Sequence, residues 1–212
     1  MFKRLRQTVT SAPLDTDEHA VSNFSEKLRL KEKAEEDLYF ARRDRELVAA
    51  LHRRSRVLVA LRAGGQTGVD RGALDAALAV SAKQAPAVGG WCPRGRLAED
   101  GVLDARYPLT ETPTNDPAQR SEWNVRDADA TLILIRGPLV GGTALTAALA
   151  EQLGKPLLCI DPSAPDALDR IDGWLRAHSV RQLNVAGPRE SQAPGIAAET
   201  RALISRLLTG TG

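Results

Sequence analysis

The apolar positions of this chain follow one period before residue 56 and another after it. From Ser25 to Arg56 over half of the residues are charged, and neither Gly nor Pro occurs. Within that stretch Leu30, Ala34, Leu38, Ala41 and Val48 fall at helical spacing, a narrow apolar stripe that predicts one long, mostly solvated helix. After Arg56 the pattern becomes short apolar runs separated by helix-periodic segments. Val57–Leu61, Thr131–Ile135, Leu157–Ile160 and Gln182–Ala186 read as buried strands. Helices are expected from about Gly68 to Ala82, from Gly141 to Leu153, from Pro165 to His178 and from Gly195 to Leu208. Continuously apolar strands alternating with helices predict an α/β fold, a parallel sheet with helices on both faces. Between Val88 and Asp127 the pattern weakens among Pro and Gly. Loops are expected there, over the same rim of the sheet, with a short helix near Gln119 to Arg126. The organisation is therefore a polar tail over residues 1–25, a charged helical arm over 26–55 and a ligand-binding domain over 56–212.

Composition narrows the function. At 212 residues the chain can enclose one sizeable core plus an appendage. Lys and Arg number 29 against 27 Asp and Glu. Such a balance offers no broad pull towards nucleic acid or membrane, so any anion recognition must be local. Cys92 and Cys159 form no CxxC pair, and with three scattered histidines they make neither a disulfide framework nor a zinc site. No metal ligand is assigned. Met1–Arg6 is basic but no apolar run follows it, and no segment is apolar enough to span a bilayer. The expected location is the cytoplasm.

The candidate chemistry sits in glycine loops that leave strands and open helices. Ligands of open parallel sheets bind beyond the carboxyl ends of the strands. In the first loop, Gly64, Gly65 and Gly68 let the backbone approach a ligand, Gln66 and Thr67 add side-chain donors, and Asp70 and Arg71 follow. Free amides at the start of the next helix would face an anion. The loop is neither a P-loop nor a G-x-G-x-x-G fingerprint. A second loop, Gly137 to Thr143, contains Gly141 and Gly142, with Thr143 where a hydroxyl would meet phosphate or simply cap the helix. A third, Asn184 to Ser191, offers Arg189 for bidentate anion contact or for pairing with Glu190. A fourth places Trp91 where it could stack on a flat ring, beside Arg94 and Arg96. Cys92 within it is expected to be a small buried residue rather than a reactive thiol.

Taken together, Gly64–Arg71, Gly89–Pro93, Arg96–Gly101, Arg106–Leu109, Glu122–Asp127, Gly141–Thr143 and Asn184–Glu190 resemble the molybdenum carrier family, close to the molybdenum cofactor carrier proteins of algae and cyanobacteria. The match is collinear over about residues 57–208. The resemblance implies a Rossmann-like fold, related to lysine-decarboxylase-like phosphoribohydrolases and a DNA-processing protein. It also implies a homo-oligomer, with a tetramer among its forms. The implied ligand is molybdenum cofactor (molybdopterin), a pterin carrying a phosphate, although a nucleotide suits the same loops. Those phosphoribohydrolases carry a catalytic acid in a Gly-Gly-x-Gly-Thr-x-x-Glu motif, and here that position holds Thr146. The expected function is thus a carrier of a phosphorylated pterin or nucleotide. The alternative is a nucleotide-processing hydrolase using Asp70, Glu99 or Asp100; no catalytic residue is assigned.

Overall fold

The run Ala130–Leu134 is apolar except for one threonine and buried at every position, which requires cover on both faces of the strand it forms. The computed structural model supplies that cover. It describes residues 27, 29–44, 47, 58–80 and 85–210, in two compact units that separate between the helical arm and Leu58. In the first unit residues 29–44 form helix α1, with Leu30, Leu38, Tyr39 and Phe40 exposed. The tail expected over residues 1–25, the start of a strand at Val57 and the end of a helix at Ala82 lie outside the described residues.

The second unit runs β1 (Ala60–Arg62), α2 (Val69–Ala79), β2 (Ala87–Gly89), β3 (Trp91–Cys92), β4 (Leu97–Ala98), β5 (Gly101–Val102), β6 (Thr110–Glu111), α3 (Pro117–Arg126), β7 (Ala130–Leu134), α4 (Gly141–Gln152), β8 (Leu157–Ile160), α5 (Ala167–Ala177), β9 (Gln182–Ala186) and α6 (Ile196–Thr209). Five strands make one sheet in the order β2-β1-β9-β7-β8, and every pairing in it is parallel. Counted from β9 and continuing through β1, β2, β7 and β8, this is the 3-2-1-4-5 order of a doubly wound sheet with its chain start moved. The α/β class read from the sequence is therefore the fold observed. Among the described residues strand β1 begins at Ala60, where its ladder with β2 and β9 starts. Strand β2 was not legible: three residues of Ala, Val and Gly at a sheet edge carry no periodic signal.

Helix packing explains the sequence pattern on each face. Helix α6 buries Ile196, Thr200, Leu203, Ile204 and Leu207 at helical spacing, and α2 lies directly against it. Their approach depends on Gly72, since a Cβ there would stand 2.4 Å from the Ala197 carbonyl oxygen. Helix α5 also meets α6, whereas α3 packs on α4. Asp116 caps α3, its carboxylate accepting from the Ala118 amide at 2.8 Å, and Pro117 begins the helix where no amide partner is needed. All five sheet strands end at the same edge, so the loops after β1, β2, β7 and β9 share one rim. On that rim the loop after β9 lies between those after β1 and β7.

Candidate functional site

The first loop is held in shape from within. Asp70, on the first turn of α2, is 3% exposed. Its carboxylate accepts from the Gln66 amide at 3.3 Å and from Arg120 of α3 at 2.9 Å. Burial pushes the Asp70 carboxyl above its usual range, while Arg120 and the Gln66 and Gly64 amides pull it back. Arg120 lies across Gly64: a Cβ there would stand 1.6 Å from a guanidinium nitrogen, so the arginine would have to shift. Gly65, at φ +80, faces Leu103 and Leu109 of the core. Gly68, at φ +79, backs onto the third loop, and a Cβ there would meet the Pro188 carbonyl oxygen at 2.4 Å and the Glu190 amide at 2.7 Å. The Val69 amide donates to that same Pro188 oxygen at 3.3 Å.

First and third loops thus form one surface, and the β4–β5 hairpin straps across it. The Gln66 side-chain oxygen accepts from the Thr67 amide at 3.0 Å and from the Glu99 amide at 2.9 Å. The Thr67 hydroxyl donates to Glu99, and Ser191 donates to it through its hydroxyl at 2.7 Å. Those hydroxyls, Thr67 first, hold the exposed Glu99 carboxyl below the usual carboxylate range. Arg71 pairs with Asp100 and donates to the Gly65 carbonyl oxygen at 3.3 Å; this pairing lowers the Asp100 carboxyl in the same way.

Beside the strap is a cleft of about 250 Å³, lined by Gly64, Gln66, Pro93, Leu97, Ala98, Glu99, Asn115, Pro117, Arg120 and Arg189. Arg120 presents a buried Nε that has no hydrogen-bond partner among the described residues. Larger grooves of about 410 and 470 Å³ run beside α2 and α6 around Asp75 and Arg201. They lie along helices and lack the loop donors, so the strand-end cleft is the better candidate for ligand chemistry.

The structure therefore brings together Gly64, Gly65, Gln66, Thr67, Gly68 and Arg189. It turns Asp70 inward and sets Arg71 under the strap. Trp91 stands apart from the cleft lining: its ring meets Trp123 edge-on at 4.7 Å, and its indole N–H donates to Asp127 at 2.7 Å. Gly141 and Gly142 are exposed on the rim with open space around them, and Thr143 is buried at the start of α4. They follow β7, which β9 separates from β1, so the second loop is not beside the first. Cys92 is fully buried, and burial raises its thiol, which disfavours a reactive thiolate. Arg120 was missed by sequence reasoning; the one available hint was that an inward-facing Asp70 would need a cation. Among the described residues no cluster of His, Cys, Asp or Glu could hold a metal ion, and no helix is long and apolar enough to cross a membrane.

Comparison with known proteins follows the same boundaries. The model of the circularly permutated YpsA SLOG family matches residues 61–208. The crystal structure of the "Putative molybdenum carrier protein" from Syntrophus aciditrophicus SB is 44% identical, covering 72% of this chain and 96% of that one, with a TM-score of 0.67. No curated protein matches the chain.

Proposed function

The chain belongs to the circularly permutated YpsA SLOG family, and from that premise we propose that it is a molybdenum carrier that holds its cargo as a phosphorylated pterin of the molybdenum cofactor type. The observation that carries this reading is the meeting of the first and third loops at one cleft. There Arg189 and Arg120 bring positive charge to the lining, the Nε of Arg120 being buried without a partner among the described residues, and the hydroxyls of Thr67 and Ser191 lie beside it on Glu99. Such a donor set suits a phosphate. The residues present fit the group: Arg120, Arg189 and Thr67 would hold its phosphate, and Gln66 and Asn115 would border the ring. When bound, that group would supply the metal-binding chemistry, and the chain's own residues bind, orient and shield it.

Carrier rather than hydrolase is favoured by one feature of α4. Thr146 stands where the related phosphoribohydrolases have their acid, and its hydroxyl donates to the Gly142 carbonyl oxygen at 2.9 Å. Buried against its own helix, it offers no proton donor to a substrate. We expect no release of free base from nucleoside monophosphates. Turnover of ~1 per second or faster, followed by chromatography of the base, would contradict the carrier reading.

Homo-oligomerisation belongs to the same proposal. Helix α4 has no charged residue before Glu151, and Leu139, Val140, Leu145 and Leu153 are exposed on or beside it. A helix apolar on both faces calls for cover. Native mass spectrometry of protein purified from its own host tests both points in one spectrum. The expected result is a multimer retaining a phosphorylated pterin. A ligand-free monomer, or a retained ligand without phosphate, would sink the reading.

A further inference from the structure

The β4–β5 strap places a carboxylate on the donors that an incoming oxyanion would use. Both oxygens of Glu99 are engaged. One accepts from the Thr67 hydroxyl and from the Ser191 amide at 3.4 Å, the other from the Ser191 hydroxyl at 2.7 Å. Thr67 is in turn fixed by the Glu190 amide, which donates to its Oγ1 at 3.3 Å. These donors belong to the first and third loops, and Glu99 also lines the cleft beside Arg189. We propose that Glu99 is an internal occupant of the anion seat, a latch that the ligand's phosphate displaces on entry. The inference rests on the reading of the cleft as a phosphate site.

The strap is built to exchange. Its base is fastened by Arg96, whose guanidinium donates to the carbonyl oxygens of Leu103, Asp104, Tyr107 and Leu109 at 3.0–3.4 Å. Leu103 and Tyr107 are buried beneath it. The tip is held differently, with Ala98 half-buried against the core and the rest by polar contacts at the surface edge: Glu99 on the two hydroxyls, the Glu99 amide on Gln66, and Asp100 on Arg71. The contacts of Ser191 and Asp100 are exposed, and exposed contacts of this kind are individually weak. Gly95 and Gly101 flank the tip at φ +82 and +116, and Gly101 has open space around it. A firm base, a loosely held tip and glycines at its ends let the tip lift while the domain stays folded. Two oxyanions cannot share the same hydroxyls, and an ionised Glu99 also offsets the charge of Arg189. Removing the carboxylate should therefore strengthen phosphate binding rather than weaken it.

The test is a titration of full-length protein with guanosine 5′-monophosphate, comparing wild type with Glu99→Ala and Glu99→Gln. Hydrogen exchange of the strap amides is followed in the same samples. The latch predicts at least ~10-fold tighter binding by Glu99→Ala, with Glu99→Gln between it and wild type. Saturating nucleotide should speed exchange at residues 97–101 in wild type, the reverse of what a lid closing over its ligand would do. If wild type binds and Glu99→Ala binds equally or more weakly, the latch is overturned and the phosphate cleft stands. Slower strap exchange on binding also overturns it. If neither form binds, both readings fall. If Glu99→Ala alone binds, the latch is upheld in its strongest form.

Discussion

Gly68→Ala should lower the unfolding free energy by at least ~3 kcal/mol, because strain and collision act together at that position. The backbone there has φ +79 and ψ −127, a region that residues with a Cβ scarcely enter. The added carbon would also stand within 2.4–2.7 Å of three backbone atoms of Pro188, Arg189 and Glu190, and backbone cannot yield as a flexible side chain can. Either α2 shifts or the third loop moves off the first. For a domain of this size the thermal midpoint should fall by roughly 6–12 °C. Gly141→Ala is the matched control. It too has positive φ, but nothing lies within 4 Å of its Cβ position, so only strain of ~1 kcal/mol applies. Denaturant midpoints at unchanged slope measure both. Equal losses in the two variants would mean that contact between the loops is not why Gly68 is glycine.

Arg120→Leu is expected to cost ~3–5 kcal/mol at neutral pH, since it strands the Asp70 carboxylate in the interior. The pH dependence has a definite sign. Burial already raises the folded-state pKa of Asp70 above its unfolded value. Stability from this group is therefore full below the unfolded pKa and is lost as pH rises through the folded one. Without Arg120 the folded value rises further. The variant should then approach wild-type stability as pH falls, because a neutral carboxyl needs no cation. Adding Asp70→Asn should recover part of the loss at neutral pH. A deficit independent of pH, measured by denaturant unfolding across the acid range, would show that Arg120 acts by packing alone.

These two sites mark where sequence reading stops. The helices α2 to α6 and four of the five sheet strands were legible, all but α3 because each carries its own apolar run or stripe. Strand order was not. Nothing local in Gln182–Ala186 reveals that it pairs between β1 and β7, and pairing of this kind is decided by distant partners. The same limit governs the cleft. Gly64, Gly65 and Gly68 announced a loop of unusual backbone, yet the groups they pack against lie at Arg120, Leu109 and Pro188, 44 to 120 residues downstream. Asp70 was visible as an acid beside a glycine loop. That it faces inward follows only from the placement of α3. Trp91 reads in the sequence as a flat surface for a ring, and its partner Trp123 arrives from that same helix.

The most direct measurement of the central claim compares ligands that differ only in phosphate. A carrier that holds its cargo by the first and third loops should be stabilised by a phosphorylated pterin and by guanosine 5′-monophosphate. Binding to the folded state alone contributes ~2.7 kcal/mol at a hundredfold excess over Kd, which is roughly 5–11 °C in thermal midpoint. The dephosphorylated pterin and guanosine at equal concentration should shift it far less. Equal shifts from the phosphorylated and dephosphorylated members of each pair would contradict the account, because the cleft would then be reading the ring and not the anion.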